Sequence, residues 1–241
     1  MLTERQEKLI KAIIEEYIKN AEPVGSQLIF QNYALGVSPA TIRNEMAYLT
    51  EEGFLEKPHV SAGRIPTSLA FRHFIKNLME EEALPVVSEV SFKQHLWEKR
   101  EHPQLMLRQA VYDLAEESRN LSLALLDNSF LYYAGAAYIL DHPEFYDIDL
   151  TRSVLKLLDE VEIIRSIFEK LPESKDVNVL LGDELGYKRL NPCSLVFGQI
   201  SFPRGRTGYI GILGPMRLNY GYIIPRVRYF QKLINELGQG A

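Results

Sequence analysis

The sequence has little cysteine, few histidines and no long apolar run. Its 241 residues include one cysteine, Cys193, and five histidines. A single cysteine cannot form a disulfide within the chain or supply a cysteine-rich metal cluster, which favours a reducing cytoplasm. No stretch approaches the ~18 consecutive apolar residues of a membrane-spanning helix. The charged start, residues 1–6, lacks the apolar core of a signal peptide. We therefore expect neither an exported nor a membrane-embedded protein.

Positive charge is also in short supply, because 27 Lys and Arg stand against 32 Asp and Glu, for a net charge of −5. Nucleic-acid binding by bulk charge is therefore disfavoured, although a local basic face is not. Residues 185–235 contain no Asp or Glu and eight basic residues, Lys188, Arg189, Arg204, Arg206, Arg217, Arg226, Arg228 and Lys232. These side chains are either scattered over several solvated elements or gathered on one docking surface.

Apolar periodicity and capping signals predict three helices before Gly53. Thr3 and Gln6 have the spacing of a capping box. Ser26 is predicted to cap the second helix, and Ser38 followed by Pro39 to open the third. The predicted helices span residues 3–21, 27–33 and 39–52.

A short hairpin is predicted directly after the third helix. Residues 54–60 and 64–66 are strand-like runs on either side of a Ser-Ala-Gly turn, and their prolines restrict them to a sheet edge. A fourth helix is predicted to follow, to about Glu82. Helix, short helix, turn, helix and hairpin is the order of a winged helix-turn-helix domain, in which the third helix reads DNA.

The third helix has two chemically distinct faces. Ile42, Met46 and Leu49 recur at helical spacing and are predicted to pack on the first helix. On the outward face, a guanidinium can chelate guanine, an amide can pair with adenine, and methyl groups can contact thymine. The predicted base-reading residues are Ala40, Thr41, Arg43, Asn44 and Tyr48. The alternative is that these are ordinary surface residues of a protein-binding helical domain.

Backbone phosphates are predicted to lie against helix starts and the hairpin. Gly25 and Ser26 open the second helix and Ser38 opens the third, and N–H groups at helix starts bind anions. Polar and basic residues of the hairpin, with the glycine of its turn, are predicted to meet a neighbouring groove or backbone, namely Lys57, His59, Ser61, Gly63 and Arg64. For His59 alone, a structural or solvent-exposed role is favoured over base reading. Residues 1–82 hold nine Lys or Arg and twelve Glu, so the acidic residues must lie away from DNA.

The rest of the chain is predicted to form a second domain with a sheet and flanking helices. Helices are predicted at 104–119, 150–171 and 225–237, and strands at 121–125, 132–140, 177–181, 194–202 and 207–213. Residues 83–103 contain Pro85 and Pro103 and lack a long periodicity, which indicates a linker with some order around residues 86–92. The predicted domains are therefore 1–82, winged helix-turn-helix, and 104–241, a second domain with a sheet and helices, in a chain of the α+β or mixed α/β class.

No constellation of catalytic or metal-ligating residues stands out. Asp141, His142 and Glu144 lie close together, but the five histidines have no ligand spacing. Cys193 has no histidine base in the second domain other than His142, and we expect a small buried cysteine beside a strand. The glycines spaced three apart over residues 205–214 fit bends in strands better than a phosphate-binding loop. The sequence predicts no enzyme, no cofactor and no metal site.

Four short blocks before Ser68 carry a family resemblance. They are LTERQ at 2–6, EPVGS at 22–26, SPATIRNEM at 38–46 and PHVSAGRIPT at 58–67. Together, in this order and at these separations, they closely resemble the HrcA heat-inducible transcription repressors. Residues 139–145, 181–184, 191–197 and 211–220 resemble, more weakly, that family's GAF-like second domain. This resemblance implies that 104–241 is a GAF-like α/β domain for regulation and dimerisation.

The resemblance has visible departures. Leu185, Met216, Leu218 and Asn219 differ from the residues expected in that domain. The family's inserted subdomain, which helps to dimerise, is predicted to be absent, because residues 121–127 run almost directly into Phe130. The usual dimer geometry and operator spacing are therefore in doubt.

The resemblance implies a cytoplasmic homodimer that binds the inverted-repeat CIRCE operator upstream of chaperone operons and represses them. It also implies that the GroE chaperonin keeps the repressor active until heat diverts the chaperonin to unfolded clients. A marginally stable second domain would couple folding to repression. Two alternatives stay open: a winged-helix regulator with a metabolite in its GAF-like domain, and an interaction module that has lost operator binding.

Overall fold

The computed structural model describes residues 2–59, 62–127, 129–170 and 176–238. It divides into two compact units, Met1–Glu80 and Glu81–Ala241, close to the boundary expected near residue 83. In the described parts of the chain, none of the helices combines the length and apolar character that a bilayer crossing requires.

The first unit has the predicted winged-helix order. Its elements are α1 (Glu4–Asn20), α2 (Ser26–Asn32), α3 (Pro39–Glu51), β1 (Leu55–Glu56), β2 (Ile65–Pro66) and α4 (Ser68–Asn77). The capping box is confirmed, since the Gln6 amide donates to Thr3 Oγ1 at 3.3 Å and the Thr3 amide to Gln6 Oε1 at 2.9 Å. Strands β1 and β2 are shorter than predicted, because the ladder ends at Glu56 and Pro58 has no N–H to extend it.

The core of the first unit lies between α1, α3 and α4. Ile10 and Ile13 of α1, Leu49 of α3 and Phe71 of α4 are fully buried. A buried carboxylate ties α1 to the end of α2, because Glu16 accepts a hydrogen bond from the Tyr33 hydroxyl at 3.1 Å. Apolar burial stabilises such a domain by roughly 25 cal/mol per Å², and this packing holds α3 on the surface of α1.

The second unit is built on an antiparallel sheet with the strand order β4-β3-β7-β6-β5. Its elements are α5 (Val86–Trp97), α6 (Pro103–Ser118), β3 (Leu121–Leu126), β4 (Phe130–Ala134), α7 (Ile148–Asp159), α8 (Val161–Phe168), β5 (Asn178–Leu181), β6 (Cys193–Phe202), β7 (Arg206–Pro215) and α9 (Tyr220–Gly238). Strand β3 is buried on both faces. Its residues Leu121, Leu123 and Leu125 join the core cluster with α7 and α8, while α6 packs on β3, and α9 on β6 and β7. The α+β class is confirmed.

The segment predicted as a linker, 83–103, contains a packed helix. Helix α5 lies within it, and the ring of Phe92 is 5.0 Å from that of Phe230 on α9. The prolines at 85 and 103 stand at helix starts, where a missing N–H is tolerated. The proline signals therefore mark the starts of α5 and α6, and the order expected around residues 86–92 extends to a full helix.

Further element boundaries also differ from the predictions, and the first is the end of α4 at Asn77 instead of about Glu82. Strand β4 ends at Ala134 instead of Leu140, because Gly135 has φ +75° and a short 3-10 helix, Ala136–Asp141, follows. The helix predicted over 150–171 is instead two helices that meet at Glu160. Residue 171, the predicted end of that helix, lies outside the described residues. Helix α9 begins at Tyr220 and continues through Pro225.

Pro225 is accommodated inside α9 because another backbone group takes its place. It cannot donate to the carbonyl of Gly221, one helical turn earlier. That carbonyl accepts instead from the Glu82 amide at 2.9 Å. The sequence predicts a start at Pro225 because proline is common at helix starts. The helix in fact begins at Tyr220.

Candidate nucleic-acid interface

Helix α3 presents a polar outer face because its apolar residues are buried. Ile42, Met46 and Leu49 are buried as predicted. The Ser38 hydroxyl caps the helix by accepting from the Thr41 amide at 3.2 Å. The predicted base-reading residues are accessible: Ala40, Arg43, Asn44 and Tyr48 are exposed and Thr41 is half-buried.

The hairpin is joined to the start of the helix-turn-helix by a backbone bridge. Val24 and Arg64 exchange two N–H···O bonds of 2.8 Å each. Gly63 lies against this bridge, and a Cβ added there would stand 2.4 Å from the Val24 carbonyl oxygen. Only glycine fits such a close approach of two backbones. The predicted wing is therefore fixed at its base by its glycine.

A side-chain bond also joins the wing to α3. The Arg64 Nε donates to Thr50 Oγ1 at 2.9 Å, and the Thr50 hydroxyl donates to the Met46 carbonyl at 2.7 Å. Arg64 is half-buried and so acts first as a positioning residue. Thr50 was not identified from the sequence, because it is too distant from Arg64 along the chain for any periodic signal to connect them.

Several predicted residues surround one depression of about 350 Å³ between α2, α3 and the wing. Three cations reach it, Arg43, Lys57 and Arg64. The other lining residues are Val24, Gly25, Ser26, Met46, Ala62 and Gly63, with no acidic residue among them. The structure therefore gathers basic side chains from α3 and from both arms of the hairpin into one concave site.

The other predicted residues lie elsewhere on the unit. Ser38, Ala40, Thr41, Asn44 and Tyr48 belong to α3 or its cap but do not line the depression. His59 is exposed, and Ser61 lies outside the described residues. The prediction that Ser26 caps α2 is wrong: Gly25 holds the N-cap position, and Ser26 is the first helical residue and only 9% exposed.

Three acidic residues elsewhere in this unit pair with cations of α1. Lys8 pairs with Glu4 at 2.6 Å and Lys11 with Glu80 at 2.9 Å. Arg5 binds Glu45, which is on α3, through its Nε at 2.9 Å. This last contact joins two helices that are well separated in the sequence, and it has no sequence signature.

In the second unit, Glu144 and His142, which were weighed as metal ligands, contact neighbouring side chains. Glu144 accepts from Arg217 Nε at 2.6 Å, and His142 Nε2 lies 3.0 Å from Asn120 Oδ1. Burial, with a smaller contribution from Arg217, lowers the pKa of His142. Among the described residues, no group of three or more His, Cys, Asp and Glu could hold a metal ion.

Cys193 and the spaced glycines are packing features. Cys193 is fully buried in the core cluster, and desolvation raises the pKa of its thiol to about 12. Gly208, Gly211 and Gly214 lie within β7, and a Cβ at Gly211 would stand 2.4 Å from the Val196 carbonyl oxygen. The prediction of a buried cysteine is confirmed, and that of strand glycines is confirmed for these three but is wrong for Gly205, which lies in a 3-10 turn before β7 with φ +72°.

The basic residues of the 185–235 stretch are mostly neutralised within the second unit. Arg206 pairs with Asp127 at 2.6 Å. Arg228 pairs with Asp176 at 2.7 Å and with Glu81 at 2.5 Å. Arg217 and Arg226 bind Glu144 and Glu117, and Arg189 lies 3.6 Å from Asp149. These pairs favour the interpretation that this charge is scattered over several elements.

A capped helix with an exposed polar face, beside a hairpin anchored to the helix-turn-helix, defines a DNA-binding protein of the winged helix-turn-helix class. Residues 1–80 match the family model described as winged helix-turn-helix transcription repressor, HrcA DNA-binding. Residues 64–224 match the model of the HrcA protein C-terminal domain. The chain belongs to the HrcA family of transcription repressors.

Relatives that align over almost the whole chain support this assignment. The heat-inducible transcription repressor HrcA of Carboxydothermus hydrogenoformans is 28% identical, over 98% of this chain and 98% of the relative. That of Pelotomaculum thermopropionicum is 26% identical, over 98% and 97%. A solved structure described as a hypothetical protein at 2.2 Å resolution has the same fold, with a TM-score of 0.77 at 18% identity over 99% of this chain and 98% of that one.

Proposed function

We propose that this chain represses chaperone operons by binding an inverted-repeat operator of the CIRCE type as a homodimer in the cytoplasm. The observation that carries the proposal is the exposed α3 face, Ala40, Thr41, Asn44 and Tyr48, beside an anchored wing. These groups can read base edges and thymine methyls in a major groove. The relatives named heat-inducible transcription repressor support heat-regulated transcription as the process controlled.

A dimer is proposed because one winged helix covers too little sequence to specify an operator. The dimer surface must differ from one built on an inserted subdomain. Strands β3 and β4 pair from Leu126 with Phe130 onward, so only residues 127–129 join them. The alignment with the first relative runs over 338 positions against 241 residues here, so part of that relative has no counterpart in this chain.

Control by the GroE chaperonin is proposed as the source of heat sensitivity. Repression would then depend on the folded fraction of the repressor, which a change of a few kcal/mol alters greatly. Adding chaperonin and nucleotide to heat-treated repressor should restore operator binding. An operator-binding activity that chaperonin does not change would remove this part of the proposal.

Fluorescence anisotropy with an inverted-repeat duplex and a scrambled duplex of equal length tests operator binding. At physiological salt we expect the inverted repeat to bind on the order of 10³-fold or more tightly. Sedimentation of the complex should give two chains per duplex. Equal affinities would instead support an interaction module that has lost operator binding.

Asn44→Ala is predicted to remove about 1–3 kcal/mol of sequence discrimination at one base pair per half-site. An exposed amide on the outer face of α3 is suited to bidentate pairing with adenine. Affinity for each single-base variant of the operator, measured with wild type and variant, locates that pair. A uniform loss over all variants would show that Asn44 does not read a base.

A cleft in the second unit favours ligand sensing as a second candidate function. It has a volume of about 260 Å³, with Leu157, Ile163 and Leu190 among its apolar lining and Lys156 and Lys188 also contributing. This is near the lower end of the ~300–1,000 Å³ usual for small-molecule sites. A large, reproducible thermal stabilisation by one member of a metabolite panel would support it.

A further inference from the structure

We propose that the depression between α2, α3 and the wing binds one phosphodiester of the DNA backbone, held by Arg43 and Lys57. Arg43 is then a phosphate ligand and not the guanine reader that the sequence predicts. The inference rests on the proposed DNA binding and assigns one contact within it.

The depression is lined by positive charge. Arg43 and Lys57 have no carboxylate partner among the described residues, whereas Arg5, Lys8 and Lys11 of α1 each have one. The lining includes Arg43, Lys57 and Arg64 and no Asp or Glu. In a unit with more Glu than Lys and Arg, unpaired cations in one concavity indicate an anionic ligand.

Arg43 lies on the face of α3 that is turned toward the wing. Arg43, Met46 and Thr50 stand at i, i+3 and i+7 and therefore share one helix face. Thr50 is bonded to Arg64 of the wing, so this face is turned toward the wing. Asn44 stands about 100° further round the helix and lies outside the depression. Base reading and phosphate binding are thus assigned to different faces of α3.

The depression is large and open enough to admit a segment of DNA backbone. About 350 Å³ of space exceeds one phosphate group and admits the adjoining sugars as well. Gly25 and Gly63 contribute to the lining, so no side chain on these residues blocks the approach of a backbone. A wing beside a recognition helix contacts the DNA backbone or an adjacent groove. A DNA phosphodiester fits this position better than a free metabolite anion.

Salt dependence tests the assignment on any duplex, whether or not it contains an operator. Dissociation constants are measured from low to moderate salt on the inverted repeat and on the scrambled duplex. Arg43→Ala and Lys57→Ala should each weaken both duplexes by the same factor and reduce the salt slope by about one unit. Lys8→Ala is the control, since it removes an equal charge at a cation already paired with Glu4.

Neutral methylphosphonate linkages then identify the phosphate. Each phosphate of one half-site is replaced in turn, and binding is measured with wild type, Arg43→Ala and Lys57→Ala. One linkage should weaken wild-type binding and have a much smaller effect in both variants, because they already lack its ligands. Inorganic phosphate, at constant ionic strength, should give no saturable thermal shift.

Three results would overturn the proposal. The first is an Arg43→Ala variant that loses affinity only for the inverted repeat and keeps the wild-type salt slope, which would make Arg43 a base reader. The second is two different linkages, one for each variant. The third is a saturable phosphate shift that Arg43→Ala abolishes while DNA binding is unchanged, which would assign a free anion. Equal wild-type affinity for both duplexes would contradict the proposed operator function but leave the phosphate test valid.

Discussion

Gly63→Val is expected to lower the free energy of unfolding of the first unit by about 2–6 kcal/mol and to weaken binding to every duplex. The added Cβ would lie 2.4 Å from the Val24 carbonyl oxygen and 2.6 Å from its carbon. These are backbone atoms, so the clash cannot be relieved by a rotamer change. Separating Val24 from Arg64 breaks two backbone hydrogen bonds worth about 0.5–1.5 kcal/mol each and adds strain of about 1–3 kcal/mol.

Thermal unfolding and duplex affinity together measure this effect. Gly25→Ala is the matched control for stability, because a Cβ at Gly25 has nothing within 4 Å. It is expected to lower stability by no more than about 1 kcal/mol, the range of unfavourable N-cap residues. A Gly63→Val variant that unfolds like wild type would show that the wing does not depend on the Val24–Arg64 bridge.

The elements of the first unit could be predicted because their signals are local. Thr3 with Gln6 and Ser38 with Pro39 act within one helical turn. The buried face of α3 follows from the spacing of Ile42, Met46 and Leu49. Its outward face could then be predicted as the complement of the buried one.

The details that join elements could not be predicted, because they depend on residues distant in the sequence. The Thr50–Arg64 bond exists only once the wing has folded against α3. The continuation of α9 through Pro225 depends on the Glu82 amide, which precedes α5 and lies far from Gly221 along the chain. Helix α5 has apolar residues on several sides, including exposed Val86 and Val87, and so lacks the one-sided period that identifies a helix.

The residue types of the candidate interface could be predicted from the sequence. The gathering of its basic residues around one depression could not. The sequence places Arg43 among base-reading residues because arginine often contacts guanine. The structure turns Arg43 toward Lys57 and Arg64, which changes the expected contact. Ser26 was predicted as a cap one position too late, since glycine also serves at the N-cap.

Glu117→Ala is expected to lower the free energy of unfolding of the second unit by about 3–5 kcal/mol, the range for breaking a buried ion pair. Glu117 accepts from Arg226 Nε at 3.0 Å, and Arg226 also lies over the Tyr222 ring at 3.2 Å. The Arg226 side chain is only 4% exposed. Removing the carboxylate therefore leaves a guanidinium that water cannot easily reach.

The two partners are expected to differ in the effect of their loss. The Glu117 side chain is 18% exposed, so Arg226→Met leaves a carboxylate that water can partly solvate. The combined replacement Glu117→Leu and Arg226→Met removes both charges and should recover most of the stability. The surface pair gives the control, since Glu162→Ala removes an exposed partner of Arg165 and should change stability by no more than about 0.5 kcal/mol.

The temperature dependence of operator binding should show whether the loss of stability in Glu117→Ala affects DNA binding. If repression requires the folded second unit, Glu117→Ala should lose duplex binding at a lower temperature than wild type, and the combined replacement should restore it. Anisotropy and circular dichroism recorded over the same temperature range test this. Unchanged binding through the unfolding of the second unit would show that the winged helix binds DNA without it, and that heat acts on this repressor elsewhere.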